Sequence, residues 1–152
     1  MQKVVPFLWY ESEAEEAANF YVSLIPNSRI VDVNRQGDRA FVVTFELDGV
    51  RYTALNGGPH YKLNDAFSLF VNCRDQAEVD DLWAKLTADG GQETQCGWLK
   101  DKFGLSWQII PTEMMAMLGD GQHPEKAARA QQAMMQMKKI DLAAMRKAYE
   151  GT

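Results

Sequence analysis

Residues 49–53, with the sequence GVRYT, indicate how the chain is organised, because a similar stretch, GLSWQ, occurs again at residues 104–108. The offset between these stretches is 55, and a second match, at an offset of 62, aligns residues 7–9 (FLW) with residues 69–71 (LFV). A self-similar period of this size indicates that one supersecondary unit occurs twice. The sequence therefore predicts two copies of one module.

The first module has the pattern of a strand, a helix and three further strands. The apolar run at residues 4–10 has the length of a strand, and Ser12 with Glu15 forms the capping-box pattern that opens a helix. Pro26 ends that helix, because the residue before a proline disfavours the helical conformation. Three β-rich segments joined by short turns then predict a meander of strands, at residues 28–35, 39–47 and 50–55.

The second module repeats this order. Residues 67–71 predict a strand, Asp75 with Glu78 predicts another capping box, and the two glycines after Asp89 end the helix. Three more strands are predicted, at residues 93–98, 99–103 and 105–110.

The chain after Pro111 predicts helices. Pro124 is placed for a first turn, and Asp141 is placed as an N-cap, with Ile140 and Met145 spaced as a hydrophobic staple. Seven of the eight methionines lie in this tail. Methionine adapts to irregular packing gaps and to partner surfaces alike, so the tail covers a sheet face or forms a dimer contact, and both interpretations stay open.

These patterns together predict an α+β fold of two paired βαβββ modules with C-terminal helices. We expect a single domain over residues 1–152, with module one at about 1–58, module two at about 64–111 and the helical extension at about 112–152. The composition, 46% apolar and 24% charged residues, is ordinary for a globular protein.

The net charge and the hydropathy pattern indicate which binding partners and which cellular compartment to expect. A net charge of −5 argues against a nucleic-acid binder, which needs a basic face. The sequence has neither the roughly 20 consecutive apolar residues of a membrane-spanning helix nor a secretory signal, so we expect a cytoplasmic protein that does not bind membranes. In that compartment Cys73 and Cys96 are expected to be free thiols.

Six short segments carry a resemblance to a known family. They are residues 7–10 (FLWY), 18–21 (ANFY), 55–59 (LNGGP), 95–101 (QCGWLKD), 103–108 (FGLSWQ) and 137–141 (MKKID). With the paired modules, they resemble the vicinal-oxygen-chelate (glyoxalase/bleomycin-resistance/dioxygenase) superfamily. Within it they resemble the PhnB-like branch, often labelled 3-demethylubiquinone-9 3-methyltransferase-like. The resemblance implies paired βαβββ modules and a homodimer.

The resemblance also implies a divalent metal, held by one ligand from the first and the last strand of each module. Transferred by the two internal offsets, these positions are Pro6, Thr53, Ser68 and Gln108. Proline has no side-chain donor, and Thr and Ser hydroxyls are weak ligands for divalent transition metals, so only Gln108 keeps a usable ligand. We therefore expect no metal site and no other cofactor.

The methyltransferase label is not supported by the sequence pattern. A dinucleotide or S-adenosylmethionine site of the usual type needs a Gly-rich turn between a strand and a helix, and neither module has one. A methyltransferase activity is therefore not expected.

Strand alternation predicts a ligand site in the concave sheet surface that the resemblance implies, which we call the cup. Anchored on Gln108, the alternation predicts a cup lined by Tyr10, Thr53, Ser68, Phe70 and Gln108, with Trp98 at its rim. Trp9 and Trp107 are predicted to lie in the core. A lining of aromatic rings and neutral hydrogen-bonding groups suits a small, partly apolar molecule with a polar end.

Three residues are weak candidates for catalysis. His60 follows a glycine-rich turn and is a catalyst or a plain loop residue, and Cys96 is a nucleophile near two lysines or buried strand packing. Asp101 is most simply a solvated turn charge. None has an acid–base partner at a recognisable spacing.

The leading hypothesis is a metal-free protein that binds a small molecule, and an enzyme acting on a small organic metabolite stays open beside it. The alternative is a metal-dependent lyase, isomerase or dioxygenase of the same superfamily.

Overall fold

The computed structural model describes residues 2–152 and divides into two compact units, Met1–Leu63 (unit 1) and Asn64–Thr152 (unit 2). The boundary lies next to the predicted start of module two. The second unit includes the C-terminal helices. The prediction of a single domain stays a prediction.

Each unit begins with one strand, one helix and three strands. Unit 1 consists of β1 (Phe7–Tyr10), α1 (Ala14–Leu24), β2 (Arg29–Gln36), β3 (Arg39–Leu47) and β4 (Val50–Asn56). Unit 2 starts with β5 (Ser68–Cys73), α2 (Gln76–Thr87), β6 (Gln92–Glu93), β7 (Trp98–Lys100) and β8 (Ser106–Pro111). It continues with α3 (Thr112–Leu118), α4 (Pro124–Met134) and α5 (Leu142–Glu150).

The two sheets have the same topology. Their strand orders are β1-β4-β3-β2 and β5-β8-β7-β6. In both sheets the first strand pairs in parallel with the last strand, and the other pairs are antiparallel. This arrangement confirms the predicted α+β fold class and the repeated βαβββ module.

The core of unit 1 lies between α1 and one face of its sheet. Alternate strand residues are buried on that face, because successive side chains of a strand point to opposite sides. They are Leu8, Tyr10, Val43, Phe45, Leu47 and Ala54. The buried residues of α1 are Ala14, Ala17, Ala18 and Tyr21, and the three alanines allow the helix backbone to approach the sheet closely.

The start of α1 differs from the prediction. Ser12 and Glu15 form no capping box, because no side chain at the start of α1 caps the helix. Glu15 instead forms an ion pair with Arg35 at 2.7 Å. The cap comes from β4. The Asn56 Oδ1 accepts a hydrogen bond from the Ala14 backbone N–H at 2.8 Å, and the Asn56 Nδ2 donates to the Ala40 carbonyl at 3.0 Å.

Unit 2 confirms the second capping box in its main feature. The Asp75 Oδ1 accepts from the Glu78 backbone N–H at 2.9 Å, and the Glu78 carboxylate accepts from the Arg74 backbone N–H at 3.0 Å. The buried side of α2 packs on the sheet face that carries the buried Leu69 and Trp107. The helix residues on that side are Val79, Leu82, Trp83 and Leu86.

The strands after α2 are shorter than predicted. Of residues 93–98 only Glu93 and Trp98 lie in strands, and residues 101–103 lie outside any strand. Cys96 and Gly97 have φ values of 57° and 86°, and two successive left-handed residues interrupt an extended chain. The prediction of Cys96 as a strand residue was therefore wrong, because it forms a turn.

The C-terminal helices pack over the end of β8. Asp141 caps α5 by accepting from the Ala144 backbone N–H at 3.1 Å, and Pro124 occupies the first turn of α4, both as predicted. Ile140 and Met145 are both buried in one apolar cluster, which agrees with the predicted staple. Met115 and Met135 remain exposed. The predicted homodimer stays a prediction.

No helix within residues 2–152 is long and apolar enough to cross a membrane.

A substitution at Asn56 tests the cap that β4 provides. We expect Asn56→Ala to lower the free energy of unfolding by about 1–3 kcal/mol, because the Ala14 N–H and the Ala40 carbonyl both lose their partner. Urea denaturation measures the change. Asn34→Ala, at an exposed position of β2, is the matched control and should change stability by no more than about 0.5 kcal/mol. Equal losses in the two variants would contradict the assignment.

Candidate functional site

The sheet of unit 2 has one face covered by α2 and one face without that helix, which we call the open face. Across β7, β8 and β5, Trp98 is paired with Gln108, and Gln108 is paired with Phe70. Paired residues point to the same side of a sheet. Leu99, Trp107 and Leu69 alternate with them and are buried toward α2. Trp98, Gln108 and Phe70 therefore form one row on the open face, the Gln108 row.

The Gln108 row joins two aromatic rings to one amide. The Gln108 Nε2 donates a hydrogen bond to the Ser68 Oγ at 2.9 Å, which orients the amide across the sheet. Gln108 is half-buried, and Phe70 is 43% exposed. Strand alternation thus places the predicted residues Ser68, Phe70, Gln108 and Trp98 on one face.

A charged group lies beside this row. The Asp65 Oδ1 accepts a hydrogen bond from the Ser106 Oγ at 2.7 Å and lies 3.3 Å from the Lys100 Nζ. Ser106 is paired with Lys100 on β7 and with Ser68 on β5. Lys100, Ser106 and Ser68 therefore form the row of side chains next to the Gln108 row. We call Asp65, Lys100 and Ser106 the Asp65 group.

The C-terminal helices cover the open face on the side of the Gln108 row that lies away from the Asp65 group. Ile110 follows Gln108 by two residues on β8 and shares its face by alternation. It is buried in an apolar cluster with Met114, Met117, Ala130, Ile140, Leu142 and Met145. The segment between α4 and α5 also holds the turn before β7. The Cys96 and Gly97 N–H groups donate hydrogen bonds to the Met137 and Lys138 carbonyls of this segment, each at 2.8 Å.

In unit 1, Thr53 lies on the sheet face opposite α1, as the alternation predicted. It pairs with Phe7, which is 61% exposed. Tyr10 lies on the other face, where it is buried and its hydroxyl meets the Tyr21 hydroxyl at 2.9 Å. The predicted placement of Tyr10 was therefore wrong. The cup that would join residues of both modules stays a prediction.

Trp9 also differs from its predicted place in the core. It is half-buried on the face opposite α1, and its Nε1 donates to the Gly58 carbonyl at 2.9 Å. Its ring meets the Tyr61 ring edge-on, with centroids 4.9 Å apart. A Cβ atom at Gly57 would lie 2.3 Å from this indole, so the close approach of the loop requires glycine there.

Both errors in unit 1 have one cause. Gln108 pairs with Phe70, and its counterpart Thr53 pairs with Phe7, so Phe7 corresponds to Phe70 at an offset of 63. The sequence match of residues 7–9 with residues 69–71 has an offset of 62, which is one residue less. A one-residue slip moves every side chain of a strand to the opposite face.

Asp101 is a structural residue and not a solvated turn charge. It is 2% exposed, and its Oδ1 accepts from the Phe103 and Leu105 backbone N–H groups at 2.8 and 3.0 Å. Its Oδ2 accepts from the Trp107 Nε1 at 2.9 Å. These bonds close the turn between β7 and β8, which sets the position from which β8 starts.

A substitution at Asp101 tests this structural role. We expect Asp101→Ala to lower the free energy of unfolding by about 3 kcal/mol, because a buried indole N–H and two backbone N–H groups lose a charged acceptor. Thermal and urea denaturation measure the loss. Asp81→Ala removes an exposed carboxylate that pairs with Lys85 at 3.1 Å and should cost less than about 0.5 kcal/mol. If the two variants were equally stable, the assignment would fail.

The two cysteines are free thiols in different surroundings. Cys73 is fully buried in β5, and burial, with a smaller effect of the nearby Glu78 carboxylate, raises its pKa to about 12. Cys96 is half-buried in the turn before β7. A thiol with the pKa of Cys73 is not a nucleophile at neutral pH.

Alkylation distinguishes the two thiols. At pH 8 only on the order of one Cys73 side chain in ten thousand is ionised, so iodoacetamide should modify Cys96 and leave Cys73 intact in the folded protein. Peptide mass spectrometry locates the adduct, and the same reaction in urea should modify both residues. Modification of Cys73 at the rate of Cys96 in the folded protein would contradict the burial argument.

His60 lies exposed in the loop that follows β4. Within residues 2–152 it makes neither a hydrogen bond nor an ion pair, so the structure provides no general acid–base partner for it. His60 lies in unit 1, whereas Cys96 and Asp101 lie in unit 2, in the turns before and after β7.

The side chains at the four transferred metal positions offer few donor atoms for a divalent ion. Ser68 and Gln108 are hydrogen-bonded to each other, Thr53 offers one hydroxyl, and Pro6 uses its carbonyl to accept from the Thr53 backbone N–H at 3.0 Å. Over the part of the chain that the structure describes, no three His, Cys, Asp or Glu side chains come together as ligands. The absence of a metal in the protein stays a prediction.

The sequence patterns did not reveal the roles of two residues, Asp65 and Asn56. Asp65 lies in the loop before β5, and its partners Lys100 and Ser106 are distant in the chain, so no local pattern marks it. Asn56 was part of a family segment, but its role as the cap of α1 depends on a contact across 42 positions.

The fold and these segments are those of a known family. The chain belongs to the 3-demethylubiquinone-9 3-methyltransferase family, whose model matches residues 2–110. Its two four-stranded βαβββ sheets are those of the vicinal-oxygen-chelate, or glyoxalase/bleomycin-resistance-like, fold, which confirms the resemblance. The helices after Pro111 lie outside the matched range.

Solved structures agree with this assignment. A putative 3-demethylubiquinone-9 3-methyltransferase, PhnB protein, from Bacillus cereus is 32% identical, with a TM-score of 0.67 over 72% of this chain and 99% of that chain. A protein from Pseudomonas aeruginosa, at 19% identity and a TM-score of 0.59 over 70% of this chain and 95% of its own, shares the fold. No curated protein matches the chain.

Proposed function

We propose that this protein binds a small organic molecule with an aromatic ring and a polar substituent on the open face of unit 2, without a metal ion. The observation that carries the proposal is the Gln108 row, in which one oriented amide lies between Phe70 and Trp98.

The chemistry of the row suits such a ligand. A ring packed on Phe70 removes apolar area from water, and aromatic pairs add about 0.5–1.5 kcal/mol beyond that area. Because the Gln108 Nε2 already donates to Ser68, its carbonyl oxygen and its second N–H are the groups left to orient the ligand.

The surroundings of the row limit the length of the ligand. On one side Ile110 is covered by Ile140 and the rest of the C-terminal cluster, and on the other side lies the Asp65 group. A ligand that spans one or two rows of the sheet, each step being about 7 Å, fits between these boundaries.

Binding is favoured over a reaction because several groups able to do chemistry are already engaged within unit 2. The Asp101 carboxylate closes a turn, Cys73 is buried, and the Ser106 hydroxyl donates to Asp65. The methyltransferase named for the Bacillus cereus relative is the second candidate function. Against it, both modules lack the Gly-rich turn of the usual S-adenosylmethionine site.

Ligand-observed NMR tests the proposed site, with benzamide as the aromatic amide probe. We expect wild-type protein to bind benzamide and Gln108→Leu to weaken binding about tenfold, because the partner amide loses its hydrogen bonds. Phe70→Ala should weaken it to a similar degree. The control is Phe41→Ala, which removes a ring that is 37% exposed in unit 1, and it should bind as wild type does.

Two results would overturn the proposal. One is benzamide binding that none of the Gln108 and Phe70 variants changes. The other is stoichiometric binding of S-adenosylmethionine to wild-type protein in the same assay, with no binding of benzamide, which would favour the methyltransferase.

A further inference from the structure

We propose that Asp65 selects a cationic group on the ligand, so that the open face of unit 2 binds aromatic amidines and amines in preference to aromatic carboxylates. The inference rests on the proposed function and adds to it the chemical class of the ligand.

Two donors hold the Asp65 carboxylate through one of its oxygens. The Ser106 hydroxyl and the Lys100 ammonium both converge on one oxygen, Oδ1, at 2.7 and 3.3 Å. The Asp65 side chain is 65% exposed, so the carboxylate remains open to a further donor. A carboxylate with open lone pairs binds amidinium and ammonium groups through charge-assisted hydrogen bonds.

Asp65 contacts the row of side chains next to the Gln108 row, through Ser106. Ser106 lies two residues before Gln108 on β8, which corresponds to about 7 Å along the strand. A ring on Phe70 that carries a cationic substituent therefore reaches the Asp65 carboxylate across one row. In the other direction Ile110 is covered, so a substituent has no comparable polar partner there.

The Asp65 side chain carries a negative charge that favours a cationic ligand. The hydrogen bond from Ser106 lowers the pKa of Asp65, and the hydrogen bond and the charge of Lys100 lower it further, so the carboxylate is ionised at neutral pH. Lys100 is the less accessible partner, with its side chain 32% exposed and directed at Asp65. An anionic ligand would have to compete with Asp65 for this ammonium.

Ser106 acts here as a positioning residue. Ser106 is buried, and its hydroxyl donates a hydrogen bond to the Asp65 carboxylate. This bond holds the carboxylate at the edge of the open face. The position of Asp65 thus depends on β8, the strand that also carries Gln108.

Three probes with one ring and different charges test the inference: benzamidine, benzamide and benzoate. We expect wild-type protein to bind benzamidine about tenfold more tightly than benzamide, and benzoate most weakly of the three, with the preference falling as salt is added. Ligand-observed NMR or calorimetry at neutral pH measures the three dissociation constants.

Variants separate the roles of the two charged residues. Asp65→Asn keeps an acceptor for Ser106 and should remove the preference for benzamidine over benzamide. Lys100→Met should increase the preference, because the carboxylate loses its neutralising partner. Asp89→Asn is the matched control, since it makes the same change of charge at an exposed residue whose φ of 56° suits asparagine.

The outcomes distinguish this inference from the proposed function. If benzamide binding depends on Phe70 and Gln108 but benzamidine has no advantage, or Asp65→Asn leaves that advantage intact, Asp65 does not select the ligand and the proposed function stands. If Lys100→Met abolishes a preference for benzoate, the group selects anions and the inference is wrong. If none of the three probes binds, the proposed function fails and this inference fails with it.

Discussion

Parallel pairing of the first and last strands of each module is the constraint on which both units depend. Because residues paired across a ladder point to the same face, the register alone decides which side chains meet. In unit 2 the register places Phe70 beside Gln108 and Ser68 beside Ser106. In unit 1 it places Phe7 beside Thr53 and turns Tyr10 toward α1. The two units share a topology and differ in what their open faces carry.

The register in unit 2 is supported from outside the proposed site. Asp101 closes the turn from which β8 begins, and the turn at Cys96 and Gly97 is held by backbone hydrogen bonds to the segment before α5. Gly97 has a φ of 86°, a left-handed conformation that favours glycine over residues with a side chain. Binding residues that are held in this way before a ligand arrives lose less entropy on binding.

The polar residues of unit 2 divide between structure and surface. The Asp101 carboxylate and the Cys73 thiol are buried and serve the fold, whereas Asp65 and Gln108 retain hydrogen-bonding capacity on the open face. The C-terminal helices, which lie outside the range matched by the family, add a boundary at Ile110.

Local sequence patterns were sufficient to predict the repeated module, most strand positions and the caps at Asp75 and Asp141, because these depend on residues close together in the chain. Alternation from Gln108 also identified the open face of unit 2. The face of Tyr10 follows only from the strand pairing. The helices α1 and α2 begin 62 residues apart, whereas the first strands of the two modules correspond at an offset of 63, and no local signal records this slip. The roles of Asn56 and Asp65 likewise depend on hydrogen bonds between distant residues, and such contacts exist only once the strands are paired.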